Sequence, residues 1–203
     1  MKNYSVQMEI SGKTAMFTRP DTGSAPVSYP APTYESAIAM FESIAWRKDA
    51  IYIPQYVEIC SPVQYAPLSV NYGGPLRKSS LKSGDNSQQI KSVVACNVCY
   101  RLYALIRGSG IKSSLKSPGH ALKIIFEKRL NRGQQYRTPC LGLKEFVPTY
   151  WGPFREKTKV QADINETIPS MLKSVWSAPL NGEYSPTFIY NVRISNGVLR
   201  YDQ

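Results

Sequence analysis

The stretch "VVACNVCYRLYALIR", residues 93–107, alternates as a β-strand does. One face of this strand would carry every second residue: Val94, Cys96, Val98, Tyr100, Leu102 and Ala104. Cys99 falls on the other face, so it cannot share a metal ion with Cys96. The stretch therefore predicts a strand of the central sheet and argues against a zinc site.

Predicted strands and a helix precede this strand in the sequence. A strand is predicted at 4–10, and a loop with four prolines then leads to a helix at about 34–48, with Thr33 as its N-cap. The apolar face of this helix would be Ile38, Phe41, Ile44 and Ala45. A second strand is predicted at 50–63, weakened where Pro54 removes a hydrogen-bond donor.

The remaining segments alternate between turns and regular elements. Residues 61–91 are rich in turn formers and predict a flexible excursion or a hairpin. A helix is predicted at about 120–132, and "QQYRTPCLGLKEFVPTYW", residues 134–151, predicts a strand kinked at Gly142. The "SNG" sequence at 195–197 is a hairpin signal.

The predicted order is strand, helix, strand, strand, helix, strand, followed by further strands. This order is typical of the α+β, ferredoxin-like (RRM-like) fold, an antiparallel sheet with two helices on one face. We expect such a domain at 1–148, with an inserted hairpin at about 61–91. Residues 149–203 would form a small C-terminal antiparallel β domain.

The charge of the chain indicates an anionic partner. Lys and Arg number 25 against 14 Asp and Glu, which gives a formal charge of +11. Nucleic acid and an acidic membrane surface both fit this charge. The sequence shows no apolar run of membrane-spanning length and no secretory start. We therefore expect a cytoplasmic protein with reduced cysteines and no membrane partner.

Cations and aromatic residues recur together in the predicted connections. The aromatic residues concerned are Phe17, Tyr29, Tyr34, Trp46, Tyr72 and Tyr136. Single-stranded RNA binders combine cations for phosphates with exposed rings for bases. A basic sequence, "KSSLKS", occurs at both 78–83 and 112–117. The alternative is that the tyrosines pack in the core and the lysines are simply solvated.

Enzyme signatures that need a cofactor or a metal are absent from the sequence, and none is predicted. Metal-independent RNA cleavage remains, in which the 2′-hydroxyl attacks the adjacent phosphate as a general base removes its proton. His120, the only histidine, could be base or acid, with Lys116 or Lys123 supplying positive charge. Alternatively, His120 only hydrogen-bonds locally at the start of a helix.

Short motifs follow one another in a recognisable order along the chain. They are Arg19-Pro20, Ser28-Tyr29, Pro32-Thr33, Gly133-Gln134, Pro139-Cys140-Leu141-Gly142 and Lys144-Glu145-Phe146. In this order they resemble the fifth family of CRISPR-associated proteins, of the RAMP superfamily, in its subtype I-C form. The resemblance implies a ferredoxin-like domain with a thumb-like hairpin at 61–91 and a small C-terminal sheet.

The resemblance also implies functions. Members of the family grip the 5′ handle of CRISPR RNA and cap a filament of backbone subunits beside the large subunit. In subtype I-C they also cut the precursor RNA without a metal. They use a tyrosine before the tryptophan that ends the first helix and a Lys-His pair at the second. This chain has Ala45 before Trp46 and Gly119 before His120, and an ungapped count from Gly133 puts the family histidine at Leu122.

The preferred interpretation is a CRISPR RNA-binding subunit of a type I surveillance complex. The residues expected to contact RNA are Arg19, Tyr29, Arg47, Lys48, Lys112, Lys116 and Arg137. One alternative is a metal-independent endoribonuclease that uses His120. Another is a detached homologue that inhibits a host complex, which the neighbouring genes would reveal.

Overall fold

The computed structural model describes residues 2–23, 25–72, 88–176 and 182–202. The strands are β1 Tyr4–Ala15, β2 Ala50–Ile59, β3 Gln64–Tyr72, β4 Gln88–Gly108, β5 Tyr150–Gly152, β6 Glu166–Trp176, β7 Tyr184–Ser195 and β8 Val198–Arg200. The helices are α1 Tyr34–Ile44 and α2 Pro118–Asn131, with a short 3-10 turn at Pro20–Thr22. Within these residues, no helix has the length and apolar character needed to cross a membrane.

The described strands form one sheet of eight. Its order is β5-β1-β4-β2-β8-β7-β6, and β3 pairs with β4 beside this path. Each of these pairings is antiparallel. The α+β class and the antiparallel sheet are thereby confirmed. The last strands, predicted as a small C-terminal sheet, instead extend the main sheet, because β8 pairs with β2 at Val57 and Leu199.

Both helices cover the same face of the sheet. Tyr52 of β2 stacks on Phe41 of α1, with ring centroids 5.4 Å apart, and its ring lies 5.9 Å from Phe126 of α2. The rings of Phe41 and Phe126 are 5.6 Å apart. Tyr100 and Leu102 of β4 are also buried in this core. Burying such side chains is the main source of stability, at about 1.5–3 kcal/mol each.

The first helix begins as predicted and ends earlier. The Thr33 hydroxyl accepts a hydrogen bond from the Ser36 amide at 3.3 Å, which confirms the N-cap. Phe41 and Ile44 are buried, but Ile38 is only half-buried, because Ala37 and Met40 occupy the inner face. The helix ends at Ile44 rather than near 48, since Ala45 is already extended, with φ −148°.

The predicted strand at 134–151 is wrong except at its end. Pro139 and Pro148 cannot donate to a ladder, and the segment folds as a loop that closes on β1. The Met16 amide donates to the Leu141 carbonyl at 2.9 Å, and the Leu141 amide donates to Phe146 at 2.8 Å. Gly142 has φ +96°, and a Cβ there would lie 1.8 Å from the Met16 carbonyl oxygen. Only β5 remains as strand.

The other sequence predictions mostly hold. Pro54 coincides with a register shift between β2 and β4, as expected where a ladder donor is missing. β3 and the first part of β4 pair antiparallel, so the described ends of the 61–91 excursion form a hairpin. Residues 73–87, which include the "KSSLKS" copy at 78–83, lie outside the described residues. α2 begins at Pro118, two residues before the predicted start.

A buried carboxylate joins the sheet to the segment that covers its other face. Glu9 is fully buried, and Thr158 donates to its Oε1 at 2.9 Å, while Arg101 donates to its Oε2 at 3.3 Å. Arg155 binds it through both its backbone amide and its guanidinium. Burial raises the pKa of Glu9, but these hydrogen bonds outweigh it and lower that pKa below its ordinary value.

Candidate nucleic-acid interface

Exposed cations gather at one end of the sheet. Here β1 and β2 begin and β4 ends, as the pairs Tyr4 with Ile106 and Ala50 with Gly108 show. The loop at 109–117 leaves β4 at this end and leads into α2. We call this surface the basic end and define it by four exposed residues, Lys48, Lys112, Lys116 and His120.

Asp49 holds the loop of the basic end in place. Its Oδ2 accepts a hydrogen bond from Ser113 at 2.6 Å, and its backbone carbonyl accepts from the Ser109 amide at 3.0 Å. Arg47 binds the same carboxylate with two hydrogen bonds, at 2.8 and 2.7 Å. Hydrogen bonds from Arg47 and Ser113 lower the pKa of Asp49 to about 2. Arg47, predicted to contact RNA, therefore has its charge engaged by Asp49.

His120 projects from the first turn of α2 beside an aromatic residue. Its ring lies 5.3 Å from the ring of Tyr4, with 35° between their planes. The Tyr4 hydroxyl is 3.0 Å from Ser117 Oγ, and Lys2 Nζ lies 5.9 Å from the Tyr4 ring centroid. Gly119 permits this close approach, because a Cβ there would lie 3.3 Å from Tyr4 Cδ2. An imidazole, a phenol and an ammonium thus meet at a helix N-terminus, which attracts anions.

The structure separates the other two predicted catalytic residues. Lys116 is exposed in the loop before α2 and belongs to the basic end. Lys123 lies one turn further along α2 and forms an ion pair with Glu127 at 3.5 Å. Sequence reasoning missed Tyr4. The available signal was an aromatic residue at the start of the first predicted strand.

Arg19 and Tyr29 lie elsewhere. Tyr29 is 1% exposed and its hydroxyl donates to the Ser170 carbonyl, so it is a core residue and offers no ring face to a base. Arg19 binds Asp21 with two hydrogen bonds, at 3.1 and 2.8 Å. Their loop is bridged to β4 at Val93, roughly 50 Å along that strand from the basic end. These two predicted contacts do not join the others.

Arg137 lies beside the C-terminus of α1. Its guanidinium is 3.6 Å from the Glu42 carboxylate, and its side chain is 55% exposed. Burial raises the pKa of Glu42, while the charge of Arg137 lowers it. Its neighbour Tyr136 lies beside Trp46, which precedes Lys48 of the basic end by two residues. Among the residues that the structure describes, no three His, Cys, Asp or Glu side chains group as metal ligands.

The sequence is similar to two curated proteins, both called "CRISPR pre-crRNA endoribonuclease Cas5d". The one from Thermus thermophilus is 29% identical over 149 residues, which are 73% of this chain and 63% of that protein. The one from Mannheimia succiniciproducens is 23% identical over 159 residues, which are 70% of this chain and 69% of that protein. The match thus spans less than two thirds of the Thermus protein. No protein-family model matches the chain.

Solved structures share the fold. A CRISPR-associated protein has a TM-score of 0.73 at 18% identity, covering 99% of this chain and 93% of that one. A functionally uncharacterized protein from Streptococcus mutans has a TM-score of 0.72 at 15% identity, covering 99% and 94%. A chain of a CRISPR RNA-guided surveillance complex has a TM-score of 0.53 at 12% identity, covering 93% and 90%.

The chain thus shares the fold of solved CRISPR-associated proteins. More particularly, it is homologous to Cas5d, as the order of motifs predicted.

Proposed function

We propose that this chain is a CRISPR RNA-binding subunit of a type I, subtype I-C-like surveillance complex, and that it grips the 5′ handle of the RNA. The observation that carries this proposal is the basic end. Its cations are exposed, and Lys112 and Lys116 lie in the loop before α2 that Asp49 holds in position. Preorganised cations lose little entropy when they contact phosphates, and phosphate contacts fix the register of a single strand so that its bases can be read by neighbouring groups.

The architecture supports the same proposal. We infer that β1, α1, β2, β4, α2 and β5 form the ferredoxin-like unit, because their strand order is β5-β1-β4-β2 with both helices on one face. β3 and the start of β4 would then be the base of the inserted thumb-like hairpin. Residues after β5 would form the predicted C-terminal β domain, built onto the same sheet through β8.

We also propose that the chain joins backbone and large subunits in the cytoplasm. Its structural relative in an RNA-guided surveillance complex favours such an assembly. The β6–β7 hairpin offers a surface suited to a protein partner, since Trp176, Tyr184 and Tyr190 are all exposed on it. Aromatic residues of this kind are enriched in the centres of protein interfaces.

The proposal predicts selective and salt-dependent binding of repeat RNA. Lys112→Ala with Lys116→Ala is expected to weaken binding and to reduce the slope of log K against log salt by about 1.4, since each lost phosphate contact removes about 0.7. Fluorescence anisotropy with repeat RNA across a salt series measures both quantities.

A matched control removes two exposed lysines from the opposite end of the sheet, Lys144 and Lys159. Their replacement by alanine is expected to leave the salt slope unchanged. The proposal fails if wild-type protein binds scrambled RNA as tightly as repeat RNA. The assignment of RNA binding to the basic end fails if Lys112→Ala with Lys116→Ala retains the wild-type slope of log K against log salt.

A second candidate function is metal-independent cleavage of the precursor RNA. The contact between His120 and Tyr4 favours it, because it joins a proton-transfer group to a phenol beside Lys2. The curated relatives are named pre-crRNA endoribonucleases. Ala45 replaces the family tyrosine in this chain, and Tyr4 would take over the role of that tyrosine. Lys2 or Lys116 would stabilise the developing charge.

A further inference from the structure

Two exposed aromatic rings stand beside the basic end. Trp46 is 46% exposed and Tyr136 is 59% exposed. Their ring centroids are 6.3 Å apart and their planes differ by 21°, so the rings lie nearly parallel. Most other large aromatic residues of the described chain are buried or half-buried, which removes their faces from solvent. Exposing an indole and a phenol together sacrifices burial energy and calls for a ligand.

The backbone beneath these rings is held rigidly. The carbonyl of Ser43 accepts hydrogen bonds from the amides of Tyr136 and Arg137, at 2.8 and 2.9 Å. The Ala45 carbonyl accepts from the Tyr52 hydroxyl at 2.9 Å. The carbonyls at the end of α1, just before Trp46, are thus bonded, where a helix end would otherwise leave them unpaired. The two rings are presented by fixed backbone.

Cations flank the ring pair on both sides. Lys48 follows Trp46 by two residues and is exposed, and it also belongs to the basic end. Arg132 and Arg137 flank Tyr136 and are exposed as well. A strand that leaves the basic end at Lys48 would reach the rings next. This interleaving of rings and cations suits a nucleotide, whose base stacks while its phosphate is neutralised.

We propose that Trp46 and Tyr136 form a stacking platform for an unpaired nucleobase of the RNA bound at the basic end. This inference rests on the proposed RNA-binding function and adds a base subsite to it. The ligand is a single-stranded nucleotide next to the phosphates held by Lys48 and its neighbours. Stacking accepts any base, so the platform contributes affinity and register rather than sequence readout.

The test measures the affinity of repeat RNA for Trp46→Ala and Tyr136→Ala across a salt series. Each variant is expected to bind about 5- to 150-fold more weakly, the range that loss of one stacked base produces. The salt slope is expected to stay at the wild-type value, because no phosphate contact is removed. Trp46→Phe, which keeps an aromatic face, is expected to retain most of the affinity.

The matched control is Tyr65→Ala, which removes another exposed aromatic ring, 45% exposed, on β3, where it pairs with Ala95 toward the opposite end of β4. It is expected to bind repeat RNA as the wild type does. A second measurement needs no variant of the ring pair to fold: wild-type protein is titrated with repeat RNAs that carry one abasic nucleotide each. An abasic nucleotide at one position is expected to weaken binding by the same factor as Trp46→Ala. Combining that RNA with the Trp46→Ala variant is expected to weaken binding no further.

The outcomes separate the platform from the proposed function. If wild-type protein prefers repeat RNA but Trp46→Ala binds it equally well, only the platform is overturned. If Trp46→Ala binds RNA normally yet fails to assemble with the other subunits, the rings are a protein-docking surface, which also overturns it. If wild-type protein shows no preference for repeat RNA, the proposed function fails, and the platform fails with it.

Discussion

Glu9→Ala is expected to lower the free energy of unfolding by about 3 kcal/mol. Removing one partner of a buried ion pair typically costs about 3–5 kcal/mol, because the remaining charge is left without compensation. The lower end applies here, since the side chain of Arg155 is 43% exposed and can be solvated, whereas that of Arg101 is only 18% exposed. Urea denaturation followed by far-UV circular dichroism measures the change.

The effect of Glu9 should depend on pH in a defined direction. Because folding lowers the pKa of Glu9, its carboxylate stabilises the fold above the ordinary value of 4.5. That contribution is lost as pH falls through the lowered pKa, so Glu9→Ala and the wild type should converge in acid. Glu127→Ala, which breaks a surface pair with Lys123, is the matched control and should cost at most about 0.5 kcal/mol. Equal losses from the two variants would contradict the account.

His120→Ala is expected to slow cleavage of precursor repeat RNA by about 100- to 10,000-fold. The reaction is run in EDTA, so that a metal-dependent contaminant cannot contribute, and products are resolved on a denaturing gel. Because His120 is exposed, its removal should leave the fold intact. Since His120 is one of the four residues of the basic end, the affinity for repeat RNA is not taken as fixed, and the cleavage rate is therefore compared at saturating protein, where weaker binding cannot lower it.

Tyr4→Phe refines the same experiment. It keeps the ring beside His120 and removes only the hydroxyl that lies 3.0 Å from Ser117 Oγ. A strong loss of rate would assign the proton or charge role to the phenol, and an unchanged rate would leave Tyr4 as packing for the imidazole. If the wild type binds repeat RNA but yields no discrete product in EDTA, the chain is a scaffold and the second candidate function is wrong.

The sequence pattern predicted the elements better than their arrangement. Strict alternation identified β4, and the Thr33 cap and the apolar stripe identified α1, because these signals are local. The segment 134–151 was misjudged because Leu141 is buried by a loop contact with Met16 rather than by a ladder. An apolar residue that a loop buries at the edge of the core produces the same sequence pattern as an apolar residue of a strand.

The site was partly predictable for a similar reason. Lys48, Lys112, Lys116 and His120 meet because β2 begins where β4 ends, which follows once the strand order is known. Tyr29 was wrongly expected to contact RNA, because the sequence does not distinguish an aromatic residue whose ring is buried from one whose ring is exposed. Tyr4 was missed because its contact with His120 joins residues more than a hundred positions apart, and no local pattern records such a contact.

The central claim is that RNA lies across the basic end. Repeat RNA carrying photoreactive uridines, crosslinked to the chain and mapped by mass spectrometry, tests it most directly. The account predicts crosslinks to residues 46–48, 112–123 and 132–137, and none to the loop that carries Arg19 and Asp21. Crosslinks concentrated on that loop, or spread evenly over both ends of the sheet, would contradict it.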